Sequence, residues 1–239
     1  MTYGICKLSA IALRKEDRHA SEMVSQLLYN ETYTVLDKTQ EWLLIQTHFD
    51  HYEGWIQAKQ FCEIGEEALF AMKNKTAYLI NKAVSEHDGK LLTLSSPLFE
   101  PHPDAVEMPA TFQPELLVEN AKKLLNAPYL WGGRTAFGID CSGLVQVCAR
   151  LAGFLLPRDA SQQIECGELV YFLQETRPGD LAFFGEDGGP ITHVGIVMGD
   201  ERIIHASGQV RIDYLDQTGI FNKERNEHTH RLQAIKRLK

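Results

Sequence analysis

The sequence has no excess of basic side chains, no CxxC pair and no long apolar run, and each absence removes a class of function. Lysine and arginine number 24 against 32 aspartates and glutamates, a formal charge of −8. Such a balance leaves no basic stripe to neutralise phosphates, so nucleic acid is not expected as a partner. The five cysteines (Cys6, Cys62, Cys141, Cys148, Cys166) are scattered and odd in number, which predicts neither a zinc ribbon nor a thioredoxin-like site. No metal or cofactor is expected. Near the N-terminus the only apolar run is LSAIAL, shorter than the about 7–15 residues of a secretory h-region or the about 20 of a membrane helix. The expectation is a cytoplasmic protein with reduced thiols and no membrane insertion. What is present, 44% apolar and 23% charged residues, is the composition of a folded globular chain.

Residues 1 to about 60 read as β. Segments 31–36 (ETYTVL), 41–47 (EWLLIQT) and 52–57 (YEGWIQ) are rich in β-branched and aromatic residues and separated by polar turns, which predicts a small barrel. The proline-rich stretch that follows, with Pro97, Pro101, Pro103 and Pro109, reads as an inter-domain linker. Beyond it the pattern changes. PELLVENAKKLLN (114–126) carries proline at a first helical turn and an apolar stripe. A second helix is predicted from Asp140 to about Ala152, stopped by Gly153. Strands follow in DLAFFG, THVGIVMG, RIIHASG and QVRIDYL. Helices first and an antiparallel sheet afterwards is an α+β signature.

Cys141 stands out. With Asp140 as N-cap it falls at the first helical position, where backbone N–H groups favour a thiolate. Bringing its pKa to about 6 takes about 3.4 kcal/mol, at about 1.36 per unit. A helix terminus supplies only about 0.3–1 kcal/mol, so a nearby imidazolium must supply most of the rest. Two histidines on one hairpin are candidates. A three-residue turn at Met198–Asp200 would set His193 opposite His205, whereas a two-residue Gly199–Asp200 turn would put the rings on opposite faces. Cys6, Cys62, Cys148 and Cys166 read as small buried hydrophobes. His48 with His51, and His228 with His230, read as solvated loop and tail rather than metal pairs. Arg134 and Arg158 read as solvated surface more readily than as neutralisers of an anionic substrate.

The run YLWGGRTAFGIDCSGLVQ (129–146), followed by RPGDLAFF, THVGIVMG and RIIHASG, resembles the NlpC-type cell-wall cysteine peptidases. These have a papain-like α+β fold and cleave peptidoglycan stem peptides. The likeness covers roughly residues 112–215, about half of the chain. SEMVSQLLYNE (21–31) and YEGWIQ resemble the bacterial SH3-like domains that accompany this family. The implied organisation is an SH3-like barrel over 1–64, an extension or degenerate second barrel plus proline-rich linker over 65–111, and the papain-like catalytic domain over 112–239.

Carried over by motif position, the resemblance makes Cys141 the nucleophile, His193 the general base and His205 the third, orienting member. It offers the Tyr129 hydroxyl, with the Cys141 N–H, as an oxyanion donor. Trp131 is a core aromatic or a groove wall. Asp140 and Ser142 sit at substrate-contacting positions, and Ser161 is either another or a helix N-cap. Glu22 and Tyr52 resemble the groups with which the barrel recognises a free α-amine, the competing reading of Glu22 being a solvated helix residue. The implied activity is hydrolysis of the γ-D-glutamyl–diamino acid bond in released peptides such as L-Ala-γ-D-Glu-diaminopimelate. A wall-binding module without catalysis and a papain-like acyltransferase are the alternatives.

Overall fold

Alternating apolar residues in the first 64 positions become strands β1 (Thr2–Ile5), β2 (Ala10–Arg14), β3 (Met23–Leu28), β4 (Thr32–Lys38), β5 (Trp42–Thr47), β6 (Glu53–Gln57) and β7 (Glu63–Ile64). They pair in the order β3-β2-β6-β5-β4-β1-β7. One face of this sheet collects Cys6, Ile11, Leu13, Leu27, Tyr33, Leu43, Ile45 and Ile56 into a core. The computed structural model describes all 239 residues, which divide into two compact units, Met1–Met108 with Leu130–Gly138 and Pro109–Tyr129 with Ile139–Lys239.

After helix α1 (Glu66–Lys73), the first unit adds β8 (Tyr78–Ile80), β9 (Val84–His87), β10 (Lys90–Thr93), β11 (Pro97–Leu98) and β12 (Ala105–Glu107). Strands β11 and β12 flank β8 in a three-stranded sheet. Most of the proline-rich stretch is built into this sheet and its turns, and the division between the two units falls at its end, between Met108 and Pro109. Pro97 is tolerated because β11 is an edge strand, where a missing N–H costs no ladder bond.

The returning segment Leu130–Gly138, with its short hairpin β13 (Arg134–Thr135) and β14 (Gly138–Ile139), belongs with the first unit up to Gly138. Its anchor is Arg134, which corrects the surface reading of that residue. The side chain is 2% exposed, and its guanidinium donates to both Glu31 carboxylate oxygens at 2.8 and 3.0 Å and to the Gln26 carbonyl at 2.6 Å. The Phe49 ring lies 5.3 Å from the guanidinium carbon. A buried arginine persists only when its charge is paired, as the Glu31 carboxylate pairs this one.

The second unit opens with α2 (Pro114–Lys122) and α3 (Cys141–Leu151), then α4 (Ala160–Gln163) and β15 (Glu168–Val170). Gly153, at φ +87°, ends α3 in a conformation that side chains avoid. Strands β16 (Leu181–Gly185), β17 (Ile191–Gly199), β18 (Arg202–Ser207), β19 (Gln209–Leu215), β20 (Gly219–Asn222) and β21 (Glu227–Arg237) run antiparallel in that order. The predicted helices and strands are present, but the sheet goes further than a simple α+β layer. β21 pairs with β16 on one side and β20 on the other, so these six strands close on themselves. Ala182, Phe184, Val197, Ile203, Leu215, Ile220 and Ile235 fill the interior of the closed sheet, while α3 packs outside on β17 and β18.

Candidate active site

Cys141 is the first residue of α3, and Asp140 caps it by accepting the Gly143 N–H at 2.7 Å. The sulfur receives the backbone N–H groups of Ser142, on its own helix, and of Val194, the neighbour of His193 on β17. These bonds favour a thiolate, yet burial outweighs them and, with the Asp140 charge, pushes the thiol up to about 11. The expected depression of this pKa is thus reversed, because the thiol is buried: Cys141 is 6% exposed. Asp140 does less harm than its charge implies. Arg158, 1% exposed, donates to its two oxygens at 3.0 and 2.5 Å and to Ser142 Oγ at 2.8 Å. Arg158 is a buried partner of the helix cap, not the solvated residue its sequence predicts.

His193 Nε2 lies 2.9 Å from His205 Nδ1, and His205 Nε2 lies 3.0 Å from Asp213 Oδ2. Neither anticipated turn produces this pair. The hairpin closes through Asp200 and Glu201, both at positive φ, with a bulge between Val197 and Gly199. The bulge restores the parity that a two-residue turn would otherwise lose, and His205 stands opposite Gly195, so the two rings meet diagonally. Gly195 leaves the room: a Cβ there would sit 2.7 Å from Ile203 Cδ1 and 3.0 Å from His205 Cβ. Gly195→Ala is expected to push His205 off its partners and lower kcat on the order of 10²-fold, with a normal circular-dichroism spectrum; unchanged turnover would show that the close approach is incidental.

The order of partners assigns the protons. Asp213 is held ionised: burial works against it, but hydrogen bonds from His205 and Arg211 prevail and lower its pKa. A carboxylate only accepts, so His205 carries its proton on Nε2 and accepts at Nδ1. His193 must then donate from Nε2, leaving Nδ1 as the lone pair available to a thiol proton. Burial, reinforced by His205 and His230, holds His193 well below the usual histidine range, so it rests as a neutral base. Asp213, Arg158 and His230 also belong here, Asp213 without any expectation from the sequence and the other two against a surface and a tail expectation. A signal existed for the first, since Asp213 on β19 faces Ile203 on β18, two residues from His205. His230 was read as tail, but closure of the sheet stacks it on His193 with ring centroids 4.1 Å apart.

The other candidates are dispersed. Tyr129 is half-buried, and its phenol is pushed up to about 12 by burial, then by Cys141 and Asp140, which keeps it protonated and able to donate. Ser142 is buried beside Asp140, whereas Ser161 is exposed at the second position of α4, whose N-cap is Asp159. Within the first unit, Trp131 is 58% exposed and donates Nε1–H to Glu22 Oε1 at 2.7 Å. Trp131 is therefore no core aromatic. Glu22 precedes β3 and lies in no helix, and its side chain is 41% exposed, not buried. Tyr52 packs against the barrel core. Cys6 and Cys148 are buried as expected, but Cys62 and Cys166 are only half-buried. Nitrogens of His193, His205 and His230 lie within 4.8 Å of one another. The first two spend their facing atoms, His193 Nε2 and His205 Nδ1, on each other.

A thiol at a helix start, bonded by the backbone N–H of the residue after His193, with His193 lined up on a second imidazole and a carboxylate, is an arrangement suited to cysteine hydrolysis. Residues 126–229 match the NlpC/P60 family, and residues 13–61 match the bacterial dipeptidyl-peptidase SH3 domain. An NlpC/P60 domain thus stands behind a bacterial SH3 domain in this chain, and the pair marks a cysteine peptidase. It is 25% identical over 231 residues to a gamma-D-glutamyl-L-lysine dipeptidyl-peptidase of Bacillus cereus, covering 79% of this chain and 68% of that one. A Bacillus subtilis protein of the same name is 39% identical over 94 residues, 38% of this chain but only 31% of the relative. The fold matches the crystal structure of an NlpC/P60 family protein from Bacillus cereus with a TM-score of 0.81 at 20% identity, over 98% of this chain and 99% of the other. No helix is long and apolar enough to cross a membrane.

Proposed function

We propose that the protein hydrolyses the γ-D-glutamyl–diamino acid bond of peptidoglycan stem peptides, preferring released peptides with a free N-terminal amine, as in murein recycling. The observation that carries the reaction is the ordered chain Asp213–His205–His193, with the Cys141 sulfur receiving the backbone N–H of Val194, the next residue after His193. The thiol proton passes to His193 Nδ1 as Sγ bonds to the γ-carbonyl carbon. The carbonyl oxygen becomes an oxyanion, for which the Cys141 N–H and the Tyr129 hydroxyl are the donors, one such donor being worth about 2.7–4 kcal/mol. The C–N bond then breaks as His193 returns its proton to the leaving amine, and water, activated by the same imidazole, hydrolyses the thioester. The names of the two relatives support the γ-D-glutamyl bond as the target.

The amine preference rests on Glu22, which Trp131 orients, and on Tyr52 from the separate YEGWIQ motif; Asp140, Ser142 and Ser161 are the proposed contacts to the rest of the peptide. Mass spectrometry after incubation with L-Ala-γ-D-Glu-diaminopimelate and with its N-acetylmuramoyl form tests the assignment. The free form alone should be cut, and Glu22→Gln should lower its kcat/KM roughly tenfold, as expected for losing a charged hydrogen bond. Equal cutting of both forms would remove the amine preference. Cutting of neither would remove the γ-D-glutamyl–diamino acid bond as the target.

A further inference from the structure

We infer that His230 is a positioning residue of the active site, its ring face clamping His193 in the plane where Nε2 meets His205 and Nδ1 serves Cys141. The inference rests on the thiol–imidazole reading of the site, not on which bond is cut. A single hydrogen bond at Nε2 does not fix an imidazole, because the terminal torsion of histidine is broad and roughly two-fold. The remaining restraint on His193 is aromatic. Phe184 is tilted against the ring at 5.8 Å and 48°, and His205 meets it edge-on at 5.1 Å and 87°. His230 is the one ring laid nearly parallel to it, at 4.1 Å and 26°.

His230 is itself well held. It faces Phe184 edge-on at 6.1 Å and His205 at 5.7 Å, and its Nδ1 lies 2.8 Å from Thr229 Oγ1. It reaches this place from β21 because Ile220 pairs with it across the seam that closes the sheet. Besides His193, the titratable or charged groups around it are His205 and Asp213 on β18 and β19, and Arg211, Glu224 and Arg225, which share with it a cavity of about 470 Å³. Burial first, then the neighbouring His205, pulls its pKa down to about 4. Near neutrality the clamp is therefore an uncharged π face, which attracts the imidazolium formed when His193 takes the thiol proton. A charged neighbour in the same position would oppose that proton transfer.

The test is the rate at which iodoacetamide alkylates Cys141, resolved by peptide mass spectrometry, on the full chain between pH 6 and 10. It needs no peptide substrate. His230→Phe keeps a flat face and should track the wild type within about twofold. His230→Leu keeps an apolar side chain without that face, and should react about tenfold more slowly near pH 7, a displacement of about one pH unit, toward the profile of His193→Ala. The inference is overturned if His230→Leu tracks the wild type, even with a lowered melting temperature, since a purely structural role would give that result. It is also overturned if His230→Phe falls with His230→Leu, because the ring nitrogen and not the face would then matter. Should the wild type leave γ-D-glutamyl peptides intact while the alkylation pattern holds, the proposed substrate fails and the clamp stands.

Discussion

Asp213→Asn is expected to lower kcat/KM on the order of 10³–10⁴-fold, approaching the complete loss expected of Cys141→Ala. The substitution changes almost no volume, so its effect isolates the proton arrangement. An aspartate can only accept from His205 Nε2, whereas an asparagine can turn its amide and donate to that nitrogen. His205 would then carry its proton on Nδ1 and donate to His193 Nε2, from 2.9 Å away. His193 would in turn be protonated on Nδ1 and present an N–H, not a lone pair, to the thiol. Cys141 would lose its base while every heavy atom stayed in place. The loss of the Arg211 ion pair, at 2.7 Å to Asp213 Oδ2, complicates only stability, because Arg211 still has Glu224 at 3.1 Å. The measurement is kcat/KM on the free tripeptide beside a thermal melt. Activity within tenfold of wild type at normal alkylation of Cys141 would mean that the tautomers are not set from Asp213.

The parts of this site that lie close in the chain were legible in it. Asp140 before a cysteine and an amphipathic stripe announces a capped helix, and β18 and β19 show themselves by composition and by the turn between them. The register of the histidine hairpin was not legible. It depends on a bulge at Met198, and an extra residue on one strand leaves no local mark in the pattern of apolar residues. His230 was illegible for a different reason: it joins the site only because β20 and β21 close the sheet, and strand closure is a property of the whole fold. Arg134 and Arg158 failed alike. A lone arginine in a sequence is rightly assigned to the surface unless its carboxylate is known. Glu31 lies 103 residues from the one, and Asp140, although only 18 from the other, is brought to it by the chain's return between α3 and α4.

Arg158→Ala should be the most destabilising single change near the site, about 3–5 kcal/mol, because it strands the charge of Asp140 in a buried setting. At about 2–4 °C per kcal/mol for a chain of 150–250 residues, the melting temperature should fall by about 6–20 °C. The reason is specific to the pairing. Asp140 keeps its hydrogen bond to Gly143 N–H at 2.7 Å, but one neutral donor does not replace a guanidinium that engages both oxygens and Ser142 Oγ together. The surviving charge also raises the cost of forming a thiolate on Cys141, since Asp140 already pushes that pKa up and Arg158 opposes it. Alkylation of Cys141 should therefore slow at neutral pH in whatever fraction remains folded. Removing both charges separates the two effects: in Asp140→Asn with Arg158→Met, the amide still caps α3, no buried ion is left unpaired, and most of the lost stability should return. A melt of the double variant no higher than that of Arg158→Ala would place the damage in lost packing around the guanidinium, not in the stranded carboxylate.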